Sequence, residues 1–306
     1  EATRHSGVHV YIVDDGSTDD TRELAHAIAA RASLPCTVLS HPGNANLGVS
    51  ASRNLGLASG SAEWVAFLDA DDYYLPHRFE ALEKILAQRD DIDGVYETSE
   101  VRLDDPMASG AAATFLRDRA RFGITQPLES ECLLDELLRG SSWTTSAITL
   151  RRSLLHTTGV FDAKKRIAED CDLWFRAVAA GNIVPGDLDR PVSVYWRHSG
   201  NTYEYDLRHR LAMLRAMFDS RHWVLAHAAD RAAVMTTGVR NYLLRSMIAL
   251  REGGRPDLAW QAWRLFLGAD TAGALAHPGV LRQAVSSARE RFFARPRPVA
   301  MSEHDN

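Results

Sequence analysis

The chain has 306 residues, of which 45% are hydrophobic and 25% charged, a composition that excludes a disordered or fibrous protein. Its net charge is −5, and residues 1–204 hold 31 acidic against 20 basic side chains, which argues against a nucleic-acid binder. No stretch reaches the ~18 apolar residues that span a bilayer. The three cysteines fit neither a disulfide framework nor a zinc site, so we expect a cytoplasmic protein.

Strands and helices alternate over the first two hundred residues. An apolar run at 8–13 predicts a buried strand that ends on two aspartates, and Ser17 or Thr18 can cap the helix that follows. Further strands are predicted at 36–39, 64–68, 94–103, 146–150 and 192–196, helices at about 49–59 and from Leu75 and Asp170, and a loop at about 104–122. Such alternation predicts an α/β fold with a mostly parallel sheet that binds ligands at the carboxyl ends of its strands.

The remainder of the chain has a helical pattern. Apolar residues recur at helical spacing from Tyr205 onward, and Gly253-Gly254 separates two of the helices. We therefore predict two domains, an α/β domain at 1–204 and a helical region at 205–306. The second contains 15 Arg and 7 acidic residues within 205–297, so it could face a membrane or an acidic partner, or simply present charged helix faces to solvent.

The first motif that carries chemistry is VDDGSTDDT, at 13–21. One carboxylate at a strand end can accept hydrogen bonds from a nucleobase or a ribose hydroxyl, and the start of the following helix can face phosphate. The alternative is an acidic turn that only caps the helix.

The second motif is FLDADDYYLP, at 67–76. Its Asp-x-Asp spacing, Asp69 and Asp71, suits Mg²⁺ or Mn²⁺, which bind through one or two carboxylates and phosphate oxygens. The alternative is a surface turn after a buried strand.

Two further motifs follow. In AEDCDLWFR the carboxylate of Asp170 lies at a predicted helix start, where it could act as a general base for a hydroxyl. In VYWRH a cation, Arg197, and a potential metal ligand, His198, follow a predicted strand. Each motif alone also has a structural explanation, as an acidic helix start and as a structural histidine.

The order DDGSTD, NLGVSASRN, FLDADD, GVFD with EDCDLWFR, and YWRH resembles the inverting glycosyltransferases of family 2 over about residues 8–204. The resemblance implies a GT-A fold, which is Rossmann-like, with a helical carboxy-terminal region after it. It implies that Asp170 is the catalytic base, beside Glu169, and that Asp71 and His198 hold the metal. It also implies nucleotide or donor binding by Asp14, Asp15, Gly16, Arg53, Asp69 and Arg197, with Asp15 at the nucleobase.

The resemblance predicts a metal-dependent inverting transferase that uses Mn²⁺ or Mg²⁺. One sugar would pass from a nucleotide-diphosphate-sugar, with a UDP-sugar favoured, to an acceptor hydroxyl in glycan or surface polysaccharide synthesis. The chain lacks the Gln-x-x-Arg-Trp segment of processive synthases, so single addition is expected. The acceptor could be a glycan or a lipid-linked glycan, and the helical region could contact a membrane surface or form a dimer.

Three alternatives come from other classes. A catalytically inactive, transferase-like adaptor in a glycan assembly complex would have no need of four acidic motifs. A nucleotidyltransferase would need a Gly-rich basic phosphate loop, which we do not find. A haloacid-type phosphatase is excluded because DADDY lacks the Thr or Val expected after its paired Asp. The family's opening strand has no counterpart before Val8, and we expect an amino-terminal stretch to supply it.

Overall fold

The computed structural model describes residues 7–104, 120–197, 207–270 and 277–293. The chain forms two compact units, Glu1–Val239 and Arg240–Asn306. The described strands all lie in the first unit, and every segment described after Arg197 is helical. The predicted domain boundary at residue 204 lies where the strands give way to helices. The boundary between the compact units lies later, after Val239, so the predicted domain boundary stays a prediction.

The described strands are β1 (Val10–Asp14), β2 (Cys36–Ser40), β3 (Trp64–Ala66), β4 (Tyr73–Tyr74), β5 (Gly94–Tyr96), β6 (Ser99–Leu103), β7 (Arg121–Phe122), β8 (Ile148–Arg151), β9 (Ile183–Pro185) and β10 (Ser193–Arg197). The described α-helices are α1 (Thr21–Ala29), α2 (Val49–Ser59), α3 (Glu80–Leu86), α4 (Ser130–Arg139), α5 (Arg152–Thr158), α6 (Glu169–Ala180), α7 (Leu207–His227), α8 (Ala232–Glu252), α9 (Pro256–Ala269) and α10 (Pro278–Phe293). Most of the predicted loop at 104–122 lies outside the described residues.

The strands form three sheets, in the orders β1-β2, β4-β10-β6-β7 and β3-β8-β5-β9. The predicted α/β class with flanking helices is confirmed, but both four-stranded sheets are mixed rather than mostly parallel. Pairing is parallel for β1 with β2, β6 with β10 and β5 with β9, whereas β8 runs antiparallel between β3 and β5. Alternation of strands and helices cannot reveal this, because an antiparallel neighbour needs no dedicated crossover helix.

The single strand predicted at 94–103 is two strands, and that prediction was wrong. Strand β5 joins one sheet and β6 another, and Glu97 lies in the break between them. The Glu97 carboxylate is buried and accepts a 2.8 Å hydrogen bond from the Arg78 guanidinium, which itself is 0% exposed. Arg78 also donates to the Ile148 carbonyl and the Thr149 hydroxyl, so this ion pair connects the turn before α3 with β8.

In the wild type, the contribution of Glu97 to the free energy of unfolding should decrease as the pH rises, and the substitution Glu97→Gln should remove this decrease. Burial raises the pKa of Glu97 from 4.5 to about 7, with Arg78 opposing the shift. A carboxyl with a raised pKa binds more protons in the folded state. Its contribution is therefore full below pH 4.5 and is lost as the pH rises through about 7.

Urea unfolding across that pH range measures this effect. The free energy of unfolding of the wild type should fall relative to that of Glu97→Gln as the pH rises. Glu100→Gln, at a side chain that is 39% exposed, is the control and should follow the wild type. Parallel curves for wild type and Glu97→Gln would contradict the prediction.

An aromatic cluster forms the core beneath the strand ends. The Phe67 ring packs edge-on against Phe161 at 5.2 Å, and Phe161 against Trp174 at 6.0 Å between centroids. Trp143 lies 6.3 Å from Trp174 and stacks on Tyr96 at 5.3 Å. Phe67 is two residues before Asp69, and Trp174 is one helical turn after Asp170, so this rigid cluster fixes two of the segments that carry candidate site residues.

Helices α6 and α7 are joined by a buried ionic cluster around Asp172. Its carboxylate pairs with Arg176 at 2.7 Å and Lys165 at 3.7 Å, and accepts a 3.0 Å hydrogen bond from the Ser220 hydroxyl. Lys165 also pairs with Asp219 at 2.7 Å. Because Ser220 and Asp219 lie on α7, the helix that follows the last strand belongs to the core of the first unit.

The second unit has a helical core of its own. Helices α9 and α10 pack together, and Phe266, Ala262, Val280 and Ala284 are buried. Arg240 pairs with Asp270 at 2.9 Å. None of the helices described here is long and apolar enough to cross a membrane.

Candidate active site

The end of β1 places two adjacent carboxylates in different surroundings. Asp14 is buried; its Oδ1 accepts the Ser17 N–H at 3.1 Å, and its Oδ2 has no hydrogen-bond partner within the described residues. Asp15 accepts N–H groups of the next loop, at 2.8 Å from Leu47 and at 2.9 and 3.1 Å from Gly48. Asp15 therefore holds the loop that begins α2, whereas Asp14 retains an unsatisfied acceptor.

Gly16 permits the tight turn after these carboxylates. Its φ is +78°, and a Cβ there would lie 2.7 Å from the Asn46 nitrogen and 2.8 Å from the Asn44 oxygen. Asn44 closes the turn by donating to the Ser17 carbonyl at 3.1 Å. Only glycine fits without displacing the loop.

Gly48, which precedes α2, is approached closely by Arg166, an arginine that lies in none of the sequence motifs. Gly48 has a φ of +91°, and a Cβ on it would lie 1.8 Å from Nη1 of Arg166. Arg166 is exposed and lies four residues before Asp170. In the sequence, Arg166 is distinguished only by lying shortly before the EDCD motif.

Arg53 joins the segment after β3 to the start of α6. Its guanidinium pairs with Asp69 at 2.6 Å and with Glu169 at 3.0 Å, and lies 5.1 Å from the centroid of the Phe161 ring. The Arg53 side chain is only 12% exposed, and the two carboxylates raise the pKa of its guanidinium against the effect of burial. Arg53 is therefore a buried cation whose charge is balanced by two carboxylates, and it links the turn after β3 to the start of α6.

Asp170 lies in the first turn of α6. Ala168, before the helix, has a φ of +60°, unusual for a residue other than glycine, and the Asp170 Oδ1 accepts the Cys171 N–H at 2.7 Å. Burial raises the pKa of Asp170 and of Glu169, and the positive charge of Arg53 opposes both shifts. Burial also raises the pKa of the Cys171 thiol well above its usual value, so Cys171 is not a thiolate.

The turn after β3 presents Asp71 to solvent. The Asp72 N–H donates to the Asp69 carbonyl at 3.0 Å and closes the turn. Asp71 is exposed, whereas Asp72 is buried, which raises the pKa of its carboxyl to about 6. A cleft of about 370 Å³ is lined by Ala70, Asp71, Asp72, Tyr73, Asp104 and Trp196.

Of the two basic residues predicted after β10, the structure describes one. Arg197 is half-buried, and its guanidinium lies 5.8 Å from the centroid of the Tyr195 ring. His198 lies outside the described residues. Its predicted role as a metal ligand stays a prediction.

The carboxylates of the turn after β3 fit a cation that arrives together with phosphate. Within the described ranges, no group of three or more His, Cys, Asp or Glu could hold a metal by itself. Asp69 is paired with Arg53 and both oxygens of Asp72 accept hydrogen bonds. Asp71, between them, is exposed. One carboxylate completed by diphosphate oxygens is a usual environment for Mg²⁺ in enzymes.

The structure thus brings most of the predicted residues that it describes together in two groups. Arg53, Asp69 and the Glu169–Asp170 pair form one, and Asp14, Asp15 and Gly16 form the other at the start of α2. Helix α2 connects the two groups. Gly48, just before the helix, bonds to Asp15, and Arg53, in its second turn, pairs with Asp69. Ser146, which contacts both Asp69 and Asp72, was not selected, because nothing in the run SSWTTSA distinguishes it from its neighbours.

Carboxylates clustered at strand ends beside a helix start are the arrangement with which open α/β folds bind ligands. Residues 2–132 match the family model described as Glycosyl transferase family 2, and over this region the chain is similar to that family. The resemblance predicted from the motifs is confirmed.

Curated relatives agree with this assignment. An uncharacterized glycosyltransferase of Nostoc sp. (strain PCC 7120) is 28% identical over 207 residues, which are 66% of this chain and 59% of the relative. The uncharacterized glycosyltransferase YibD of Escherichia coli (strain K12) is 38% identical over 88 residues, 29% of this chain and 24% of the relative. The match therefore spans about three fifths of the length of the first relative and less of the second.

Solved structures share the fold. The crystal structure of S. aureus TarS 1-349 in complex with UDP-GlcNAc has a TM-score of 0.64 at 15% identity, covering 92% of this chain and 82% of that chain. The mannosyltransferase PcManGT from Pyrobaculum calidifontis, in complex with GDP-Man and Mn²⁺, has a TM-score of 0.51 at 16% identity, covering 94% and 78%. These similarities confirm a fold of the GT-A kind.

Proposed function

We propose that the protein is a metal-dependent, inverting glycosyltransferase that moves one sugar from a nucleotide-diphosphate-sugar, with a UDP-sugar favoured, to an acceptor hydroxyl in glycan or surface polysaccharide synthesis. The observation that carries the proposal is the Asp69–Arg53–Glu169 bridge. It joins the Asp-x-Asp turn, which lies in the region that matches the family 2 model, to Glu169, the neighbour of Asp170. The comparisons give no support to the adaptor alternative.

In this proposal Asp170 is the general base. Its carboxylate accepts the proton of the acceptor hydroxyl while the hydroxyl oxygen forms a bond to the anomeric carbon. The bond between that carbon and the diphosphate oxygen breaks on the opposite face. A raised pKa favours proton acceptance, because a more basic carboxylate takes up a proton more readily.

Nucleoside recognition would involve the group formed by Asp14, Asp15 and Gly16. The Oδ2 of Asp14 is a buried acceptor with no partner in the described part of the chain, and such a group is costly to leave unpaired. An N–H or O–H of the nucleoside would satisfy it. The bonds of Asp15 to Leu47 and Gly48 favour a positioning role for Asp15, and we propose that Asp14 makes the more direct contact.

Asp71, and His198 beside Arg197, would hold a Mn²⁺ or Mg²⁺ ion that arrives with the diphosphate. When bound, that ion supplies positive charge that offsets the charge on the leaving diphosphate. Complexes of the neighbours support a nucleotide-sugar and a metal, since TarS is described with UDP-GlcNAc and PcManGT with GDP-Man and Mn²⁺. A cytoplasmic location, and a peripheral membrane or dimer contact through the helical region, belong to the same proposal.

Thermal stability with UDP, GDP, CDP and dTDP, each with and without Mn²⁺, tests the donor site. We expect UDP with Mn²⁺ to raise the melting temperature, because a ligand that binds the folded state stabilises it by about 2.7 kcal/mol at 100 times its Kd. Asp71→Ala should lose the metal-dependent part of the rise. Asp90→Ala, at an exposed carboxylate outside the cleft, is the control and should keep it. No shift with any nucleotide would overturn the proposal.

A further inference from the structure

Ser146 is a buried hydroxyl that contacts both ends of the Asp69–Asp72 turn. It lies in a 3₁₀ turn just before β8 and is 0% exposed. Its Oγ accepts the Asp69 N–H at 3.3 Å and donates to the Asp72 Oδ2 at 2.7 Å. A single hydroxyl therefore holds the turn that presents Asp71.

The other oxygen of Asp72 extends this connection to β10. Asp72 Oδ1 accepts the backbone N–H of Trp196 at 3.1 Å, and Arg197 is the next residue. The Trp196 ring donates to Asp104 at 2.6 Å, and both residues line the cleft that contains Asp71. Ser146 and Asp72 thus connect the Asp-x-Asp turn to the strand end that carries Arg197.

We propose that Ser146 and Asp72 are positioning residues, which fix the placement of Asp71 and Arg197 for the donor diphosphate. The inference rests on the proposed function. A carboxylate on an exposed turn binds a cation well only when the turn is held in place, because ordering it on binding costs free energy. The buried Asp72 carboxylate holds it, since each of its oxygens has a partner from a different element.

A merely structural hydroxyl would behave differently, and the chain offers one for comparison. Ser193 is also 0% exposed, and its hydroxyl bonds to Ser99 at 2.7 Å. It lies in the same sheet as Trp196, and none of its hydrogen bonds in the described residues goes to the Asp69–Asp72 turn. Ser193→Ala is therefore the matched control for Ser146→Ala.

The experiment is isothermal calorimetry of UDP binding, with and without Mn²⁺, to the wild type, Ser146→Ala, Ser146→Cys and Ser193→Ala. We expect Ser146→Ala to weaken UDP binding in Mn²⁺ by roughly tenfold, the size of one lost hydrogen bond to a charged group. Binding without Mn²⁺ should weaken less than binding with Mn²⁺, because the Asp14 group is untouched and only the placement of Arg197 is then affected. Ser146→Cys, which keeps a weak donor, should lie between.

Ser193→Ala should match the wild type in both conditions. If Ser146→Ala binds UDP with Mn²⁺ as the wild type does, or loses equally without Mn²⁺, the inference is overturned while the proposed function stands. If the wild type itself binds no nucleotide in either condition, the proposed function and the inference both fail. If Ser146→Ala does not fold, the same comparison is made with Ser146→Cys, using the ratio of its UDP affinity with Mn²⁺ to its UDP affinity without Mn²⁺.

Discussion

Asp170→Asn should reduce sugar transfer by about 10²- to 10⁴-fold, the usual contribution of a positioned general base. The asparagine keeps an oxygen that can accept the Cys171 N–H, so the start of α6 should keep its geometry. It cannot accept the proton of the acceptor hydroxyl. The rate should therefore fall while nucleotide binding, measured by thermal shift with Mn²⁺, stays within about twofold of the wild type.

Cys171→Ser is the control at the adjacent position. The raised pKa of this thiol keeps it protonated, which makes it a poor nucleophile, so the substitution should leave the transfer rate near that of the wild type. Transfer by Asp170→Asn at the wild-type rate would assign the base to another residue. A large loss in Cys171→Ser would instead indicate that the start of α6 tolerates no change.

The pH profile gives a second readout of the same role. Burial raises the pKa of Asp170, so kcat/KM should decline as the pH falls, beginning above the ordinary Asp value of 3.8. The decline follows from protonation of the base in the free enzyme. The small residual activity of Asp170→Asn should lack this decline.

Asp172→Ala should lower the free energy of unfolding by about 3–5 kcal/mol, the usual cost of removing one partner from a buried ion pair. The Asp172 and Arg176 side chains are 5% and 9% exposed. The substitution leaves the positive charges of Arg176 and Lys165 without a carboxylate that both contact, and removes one of the acceptors of the Ser220 hydroxyl. Urea unfolding monitored by circular dichroism measures the loss.

The control is an exposed pair with the same spacing. Asp135 and Arg139 on α4 also stand four residues apart, at 2.5 Å, with side chains 47% and 66% exposed. Exposed pairs contribute at most about 1 kcal/mol, so Asp135→Ala should cost no more than that. Equal losses in the two variants would show that burial of the Asp172 cluster adds nothing.

The local sequence pattern predicted several strands and helices of the amino-terminal part correctly. Strand β2 and helix α2 lie within a residue or two of their predicted bounds, since an apolar run or a helix of small residues ends at clear polar or glycine signals. The break at Glu97 was missed, because a buried glutamate in a strand pattern makes sense only once its partner Arg78, far away in the sequence, is known.

The candidate site was predictable as a set of motifs, whereas its connections were not. The motifs name Asp69 and Glu169, but only the fold shows that Arg53 bridges them. Likewise, Asp14 and Asp15 look equivalent in sequence. Their difference arises from a loop more than thirty residues later, whose N–H groups are taken up by Asp15.

Helix α7 is buried against α6, so it should stay with the strand-containing part of the chain when segments are exchanged between related proteins. A shortened chain that stops after β10 would lose Ser220 and Asp219 from the Asp172 cluster, and the apolar side chains Leu214 and Met217, both 0% exposed. We expect such a fragment to aggregate. Chimeras should therefore keep the chain intact as far as Val239, where the first compact unit ends.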